Sequence, residues 1–268
     1  VEVSAAAATK LTLNGAADTT IASLATAGTD SLTEINASGM TGGLTLTTGA
    51  TDIGSATLTV TGGAGGDTLD VSAAGTTVSV SAGAGDDTVT LGAGDNTVAG
   101  GAGSDILSIG AAIDANDTIS GFESLTVTGA VDQDMDFLSN NTIATVTDGV
   151  GGANAVAFSD ASADVATLVL STADNTSSVT ADRKTDTSDD SLSITLRDGD
   201  ATAVTVNDEE SLTIDSSTAA TTITTLNAAD VTSITITGDE GATIGSIAGN
   251  ASLATVDASA STGAVSVG

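Results

Sequence analysis

The chain has no cysteine, proline, histidine, tryptophan or tyrosine, and only three phenylalanines. Each absence closes a route. Without cysteine there is no disulfide framework, so an extracellular version of this chain must be held together by other means. Without histidine, a serine nucleophile has no imidazole base beside it. Paired carboxylates could in principle work on sugars, but the aromatic platforms on which sugars stack are missing. The inventory therefore argues against an enzyme. Basic residues are scarce as well: Lys10, Arg183, Lys184 and Arg197 face 35 acidic residues, for a formal net charge of -31. Nucleic acid and anionic membrane surfaces are repelled by such a chain. No apolar run approaches a membrane-spanning length and no signal peptide opens the sequence, so direct membrane insertion is not expected. Residue 1 is Val, which reads as a segment of something longer.

What is present has a strong bias. Of the 35 acids only six are Glu and 29 are Asp. Short Asp side chains suit turns, whereas a solvated helical surface favours Glu. The apolar fraction of 40% is too high for a disordered acidic tail. It is mostly Ala, Val, Ile and Leu, which fits thin stacked coils better than a thick globule.

The organising stretch runs from Gly62 to Ser108. It reads GGAGGDTLD (62–70), an eleven-residue spacer, then AGAGDDTVT (82–90), LGAGDNTVA (91–99) and GGAGSDILS (100–108). Each unit follows G-G-x-G-x-D-x-U-x, with U aliphatic, or a close variant, and this is the signature of a calcium-bound parallel β-roll. The glycines allow a tight turn with positive φ that exposes carbonyls. The Asp adds a hard carboxylate, and D-x-U is a short strand with its aliphatic residue inward. Two nonads make one turn of the roll, so Asp67, Asp87 and Asp105, spaced 20 and 18 residues apart, fall on one edge. Calcium is expected between the turns that carry them. The opposite edge is poorer, with Thr76, Asn96 and Asp114 at the corresponding positions.

The fold class expected is all-β: a right-handed parallel β-solenoid with an embedded calcium β-roll. Residues 1–61 read as solenoid repeats, 62–113 as the roll and 114–268 as solenoid repeats again, in one continuous body. Outside the roll, Leu, Ile or Val alternates with Thr, the period-2 signature of a strand with one buried face. Strands are expected in 11–15, 31–39, 43–49, 56–63, 142–148, 155–160, 167–172, 191–199, 203–217, 233–239 and 264–268, with a helical turn near 3–8. Phe122 is placed as a plug over the open end of the roll. The two ends of the chain match each other: SLTEINASGMTGGLTL (31–46) aligns without gaps to SLATVDASASTGAVSV (252–267), and LTLNGAADTTIASL (11–24) aligns to ITITGDEGATIGSI (234–247). On this pattern another calcium block is expected beyond Gly268.

Two further acidic groups invite a metal reading. Asp132, Asp134 and Asp136 form D-x-D-x-D, but a helix-flanked calcium loop needs Gly at its sixth position and Glu at its twelfth. Those positions hold Phe137 and Ile143, so a solvated turn is the favoured reading. Asp186, Asp189, Asp190, Asp198, Asp200 and Asp208 are denser. If their strands stack, the carboxylates repel one another, and either a bound cation or Arg183, Lys184 and Arg197 could relieve this. Asp190, Asp198 and Asp200 therefore join Asn96 and Asp114 as secondary candidate ligands. The segment DRKTDTSDDS (182–191), with no apolar residue, reads as a surface loop.

At Gly62–Ser108 the chain resembles the repeats-in-toxin (RTX) family. More narrowly, the order of its pieces, from SLTEINASG through GGAGGDTLD, GAGDDTVT, GGAGSDIL and GFESLTVTGA to NAADVTSITITGDEGATIGSI, resembles the lattice-forming part of bacterial surface-layer proteins of the Caulobacter type. That resemblance implies type I export, calcium binding outside the cell and self-association into a sheet that coats the outer membrane. It implies calcium carboxylates at Asp67, Asp87 and Asp105. Turn carbonyls would come from Gly62, Gly63, Ala64 and Gly65, from Gly83, Ala84 and Gly85, and from Gly101, Ala102 and Gly103. Asn96 and the eleven-residue spacer depart from the family pattern. No export signal or anchoring domain is recognisable here, so contact with cell-surface polysaccharide would fall to parts of the parent protein outside this chain. The alternative is the rigid stalk of a secreted RTX-type adhesin.

Overall fold

The structure is a computed structural model and describes residues 8–22, 32–49, 57–74, 77–150, 154–171, 178–197 and 200–268. The chain forms two compact units, residues 1–125 with 140–142 and residues 126–139 with 143–268. Both are β-solenoids built from parallel strands. Among the described residues the helical structure is one four-residue 3-10 turn, Met135–Leu138. The expected all-β parallel solenoid is therefore the observed fold. The helical turn expected near 3–8 lies almost wholly outside the described residues.

In the first unit one sheet runs Lys10–Gly15, Glu34–Met40, Leu58–Thr61, Val78–Ala84, Thr97–Ala102 and Thr118–Ser120. The strands between them in sequence, Thr19–Ile21, Leu44–Thr47, Thr68–Asp70, Thr88–Leu91 and Ile106–Ile109, form a second sheet. Each neighbour is thus the next strand but one, as a coil that crosses from sheet to sheet requires. The alternation in the sequence explains why. Along Leu58–Thr61, Leu58 and Val60 are buried while Thr59 faces out. Stacking in register turns such residues into columns: Ile35, Val60, Val80, Val98 and Ile119 line one, and Leu46, Leu69, Val89 and Leu107 line another. Every member of both columns is at most 3% exposed. Burying an aliphatic side chain of this kind stabilises by about 1.5–3 kcal/mol, so the columns form the core of a thin coil.

The second unit repeats the scheme. Val146, Leu168, Ile194, Ile214 and Ile236 form one buried column, and Val156, Val179, Val204 and Leu226 another. Corners recur with the pattern [ND]-x-S. The carboxylate or amide oxygen of Asn36, Asp70, Asp215 and Asp257 accepts from the backbone N–H two residues on, in Ser38, Ser72, Ser217 and Ser259. Such Asx turns keep an amide paired where the chain bends. Asp70 and Asp215 are the last residues of their strands, whereas Asn36 and Asp257 lie within Glu34–Met40 and Thr255–Ser261.

The match between the chain ends extends to an irregularity. Lys10–Gly15 pairs with Glu34–Met40 through a register shift between Thr12 and Asn14. Ser233–Gly238 pairs with Thr255–Ser261 through a shift between Thr235 and Thr237, the aligned positions. Other expectations change. Ser178–Arg183 is a strand, so the expected loop at 182–191 begins later, at Lys184. Thr221–Asn227 is also a strand; its buried Ile223 and Leu226 lie three apart, so it carries no period-2 signal. Phe122 is fully buried, and residues 141 and 142 bond to its backbone, so it fills the interior rather than plugging an end.

Candidate metal centre

In the first unit the repeat turns bring Asp67, Asp87 and Asp105 into one line. The register that sets Thr68 beside Thr88 and Thr88 beside Ile106 places the preceding Asp of each strand in a single column. All three are at most 1% exposed. Backbone amides hold them. Asp67 accepts from Leu44 N–H at 2.7 Å through Oδ1 and from Gly63 N–H at 2.8 Å through Oδ2. Asp87 Oδ1 accepts from Asp67 N–H at 2.6 Å, and Asp105 Oδ1 from Asp87 N–H at 2.9 Å. The amide of Asp105 donates onward to Glu123 Oε2 at 2.8 Å. The outcome is a ladder with one carboxylate per coil.

The ladder leaves its second oxygens in difficulty. Asp87 Oδ2 and Asp105 Oδ2 are buried without a hydrogen-bond partner. An ionised carboxylate in that position is costly unless paired. Burial raises the Asp87 carboxyl to about 6, against the pull of the Asp67 amide, and the charges of Asp67, Asp105 and Asp86 push it the same way as burial. Burial also raises Asp105, opposed by the Asp87 amide and assisted by Glu123 and Asp86. A hard divalent cation fits this donor set, because it accepts carboxylate and carbonyl oxygens together.

The glycines make room for the ladder. Gly83 and Gly101 have φ of +123° and +120°, and Gly85 and Gly103 have +107° and +148°, as a tight turn with exposed carbonyls requires. Gly62, Gly63 and Gly65 do not use that region; there the demand is for space. A methyl group on Gly62 would strike the Ala82 carbonyl oxygen and Asp67 Oδ2, and one on Gly65 would lie 2.7 Å from the Gly42 carbonyl carbon. Two turn carbonyls are already engaged: Gly63 O accepts from Ala84 N–H at 3.0 Å, and Ala102 O accepts from Gly85 N–H at 2.8 Å. Each keeps a second lone pair. Among the described residues no three acidic side chains converge on a point. One carboxylate per turn, with carbonyls beside it, is what this corner offers.

The opposite edge is arranged differently from the sequence expectation. Asn96 is buried, and its own Nδ2 closes the turn onto Gly94 O at 2.7 Å. The residue stacked on it is Asp117, not Asp114: Thr118 pairs with Thr97, and Asp117 Oδ1 accepts from Asn96 N–H at 2.8 Å. Asp114 instead sits exposed in the turn, its N–H donating to Asp117 Oδ2 at 3.0 Å. The turn before this strand is three residues longer than a nonad phase allows, which moves the acid. Thr76 lies outside the described residues.

Among the described residues of the second unit no three acids converge to hold a metal, although Asp190 and Asp208 lie close enough to Glu209 to raise its carboxyl. Asp190 Oδ2 accepts from Thr187 N–H at 2.6 Å and Asp200 Oδ1 from Thr222 N–H at 2.7 Å, while Asp198 lies outside the described residues. Among the described residues of this unit Asp148 and Glu209 are buried acids, and the sequence reading singled out neither. Arg183 pairs with Glu209 at 2.6 Å, both side chains being at most 5% exposed. The rest of the guanidinium donates to the carbonyls of Ser162, Val165 and Ser191. Burial holds Glu209 above its ordinary range, opposed by Arg183. Lys184 pairs with Asp136 at the surface. In D-x-D-x-D, Asp132 and Asp134 end a short strand and Asp134 caps the 3-10 turn by accepting from Asp136 N–H at 2.9 Å.

A parallel solenoid whose corner carries a buried carboxylate ladder beside glycine turns is a repeat architecture, in which each coil is held by the coils stacked next to it. Residues 79–107 match the RTX calcium-binding nonapeptide repeat (4 copies), a family whose repeats bind calcium. That stretch covers the turns of Asp87, Asn96 and Asp105. No similar curated protein was found.

Proposed function

We propose that this chain is a calcium-stabilised structural solenoid of an extracellular surface layer, exported by a type I route and associating with copies of itself into a lattice on the cell surface. The observation that supports it most is the pair of buried, unpartnered oxygens on Asp87 and Asp105 within the stretch that matches the nonapeptide repeat. The ligands would be the carboxylates of Asp67, Asp87 and Asp105, with carbonyls drawn from the Gly62–Gly65, Gly83–Gly85 and Gly101–Gly103 turns. Bound calcium supplies positive charge where the protein itself has none. A charge of -31 opposes association of copies, and bound cations reduce that repulsion. The residue inventory supports a structural rather than a catalytic role, for want of histidine, cysteine and stacking aromatics.

Circular dichroism and light scattering in calcium and then in excess chelator test this reading. Loosening of the fold and dispersal of ordered sheets on chelation are expected. Signals indifferent to chelator would overturn it, and soluble rods that never form sheets in calcium would point to the stalk of an adhesin instead.

A further inference from the structure

The carboxylate ladder does not stop where the nonapeptide pattern stops. Past Ser108 the glycine repeats end, and the next coil reads Gly121-Phe122-Glu123, which matches no G-G-x-G-x-D unit. Its geometry is nevertheless that of a rung. In the roll, Thr88 N–H donates to Asp67 O and Ile106 N–H to Asp87 O, each at 2.8 Å. Both Glu123 N–H and Ser124 N–H donate to Asp105 O at 3.1 Å, so Glu123 stacks on Asp105 as Asp105 stacks on Asp87. Its side chain does what the aspartates do: Glu123 Oε2 accepts from Asp105 N–H at 2.8 Å, while Oε1 meets Thr142 Oγ1 at 3.4 Å. The extra methylene of Glu spans the step that Asp spans in the roll.

The backbone beside it is shaped to match. Gly121 has φ of +73°, in the left-handed region that favours glycine. A methyl group on Gly100 would strike the Gly121 carbonyl oxygen and lie 2.7 Å from Asp105 Oδ2. Those two oxygens therefore face the same space, which only glycine at position 100 leaves open. Both are acceptors, and Asp105 Oδ2 is fully buried with no partner. Two acceptors facing one another in a buried space call for a cation or a donor between them.

We propose that a divalent cation of the calcium type binds at this final turn, against Asp105 Oδ2 and the Gly121 carbonyl, with Glu123 supplying the second negative charge. The inference rests on the calcium reading of the roll and extends it by one turn, to residues that no repeat pattern marks. It also accounts for Glu at 123: the longer side chain closes the ladder where the coil ceases to be a nonad.

The test is the number of calcium ions bound per chain, measured by equilibrium dialysis with radioactive calcium on the wild-type chain, Glu123→Gln and Asp87→Asn. Gln keeps the length and an oxygen acceptor for the Asp105 amide, so the coil is retained and only the charge is lost. Circular dichroism in saturating calcium checks that. Glu123→Gln is expected to bind one fewer ion, or to weaken one site by roughly 10–100-fold, while the remaining sites keep their affinity. Wild-type number and affinities in Glu123→Gln, alongside a loss in Asp87→Asn, would overturn this inference and leave the roll reading standing. A wild-type chain that binds no calcium would overturn both. Gly100→Ala, whose methyl group occupies the proposed space, is expected to lose the same ion as Glu123→Gln.

Discussion

Asp87 shows in one side chain how this protein is built. One oxygen holds the amide of Asp67 on the neighbouring coil, and the other is buried with nothing to hold. Its carboxyl is raised to about 6, so in the metal-free protein it binds a proton more readily folded than unfolded. A raised acid of this kind favours folding while protonated, and the contribution is lost as pH climbs from the ordinary carboxylate range through about 6. The metal-free chain should therefore melt at a higher temperature near about pH 5 than near about pH 7, and Asp87→Asn should narrow that difference. Equal pH dependence in both proteins, measured by thermal circular dichroism, would contradict this. The three aspartates of the column were legible from their 20- and 18-residue spacing. Glu123 was not, because no glycine pair precedes it, and Asp117 was missed because a longer turn shifts it out of phase.

The elements follow from simple alternation, and where alternation fails the reading failed with it. Leu58–Thr61 was recognised by its Leu-Thr-Val-Thr pattern, whereas Thr221–Asn227 was missed for want of one. Arg183 lies at the end of a strand in a stretch with no apolar residue, so only the structure shows its guanidinium buried against Glu209. It binds carbonyls of Ser162, Val165 and Ser191 and a carboxylate, the kind of oxygens a calcium ion would take. The second unit thus carries a permanent cation at this corner. Arg183→Ala leaves Glu209 buried and unpaired, which should cost about 3–5 kcal/mol. Urea denaturation should show that loss in the second unit whether or not calcium is present. A loss that vanishes in calcium would mean that metal, not Arg183, balances Glu209.

Across the whole molecule, charge is the dominant fact. Among the described residues three basic side chains form ion pairs, Lys10 with Glu34, Arg183 with Glu209 and Lys184 with Asp136, and only the second is buried. Most of the net charge of -31 is left for ions from solution to balance. The aliphatic columns are thin and covalent cross-links are absent, so balance of charge inside the coils weighs heavily in stability. The repeat between residues 31–46 and 252–267, down to a shared shift of register, shows one coil design used near both ends of the chain. The most direct measurement is the melting temperature of Asp87→Asn against wild type, at neutral pH, in chelator and in saturating calcium. Asn keeps an acceptor for the Asp67 amide and removes the buried charge. It should raise the melting temperature in chelator and lower it in calcium; a shift in the same direction under both conditions would contradict the account.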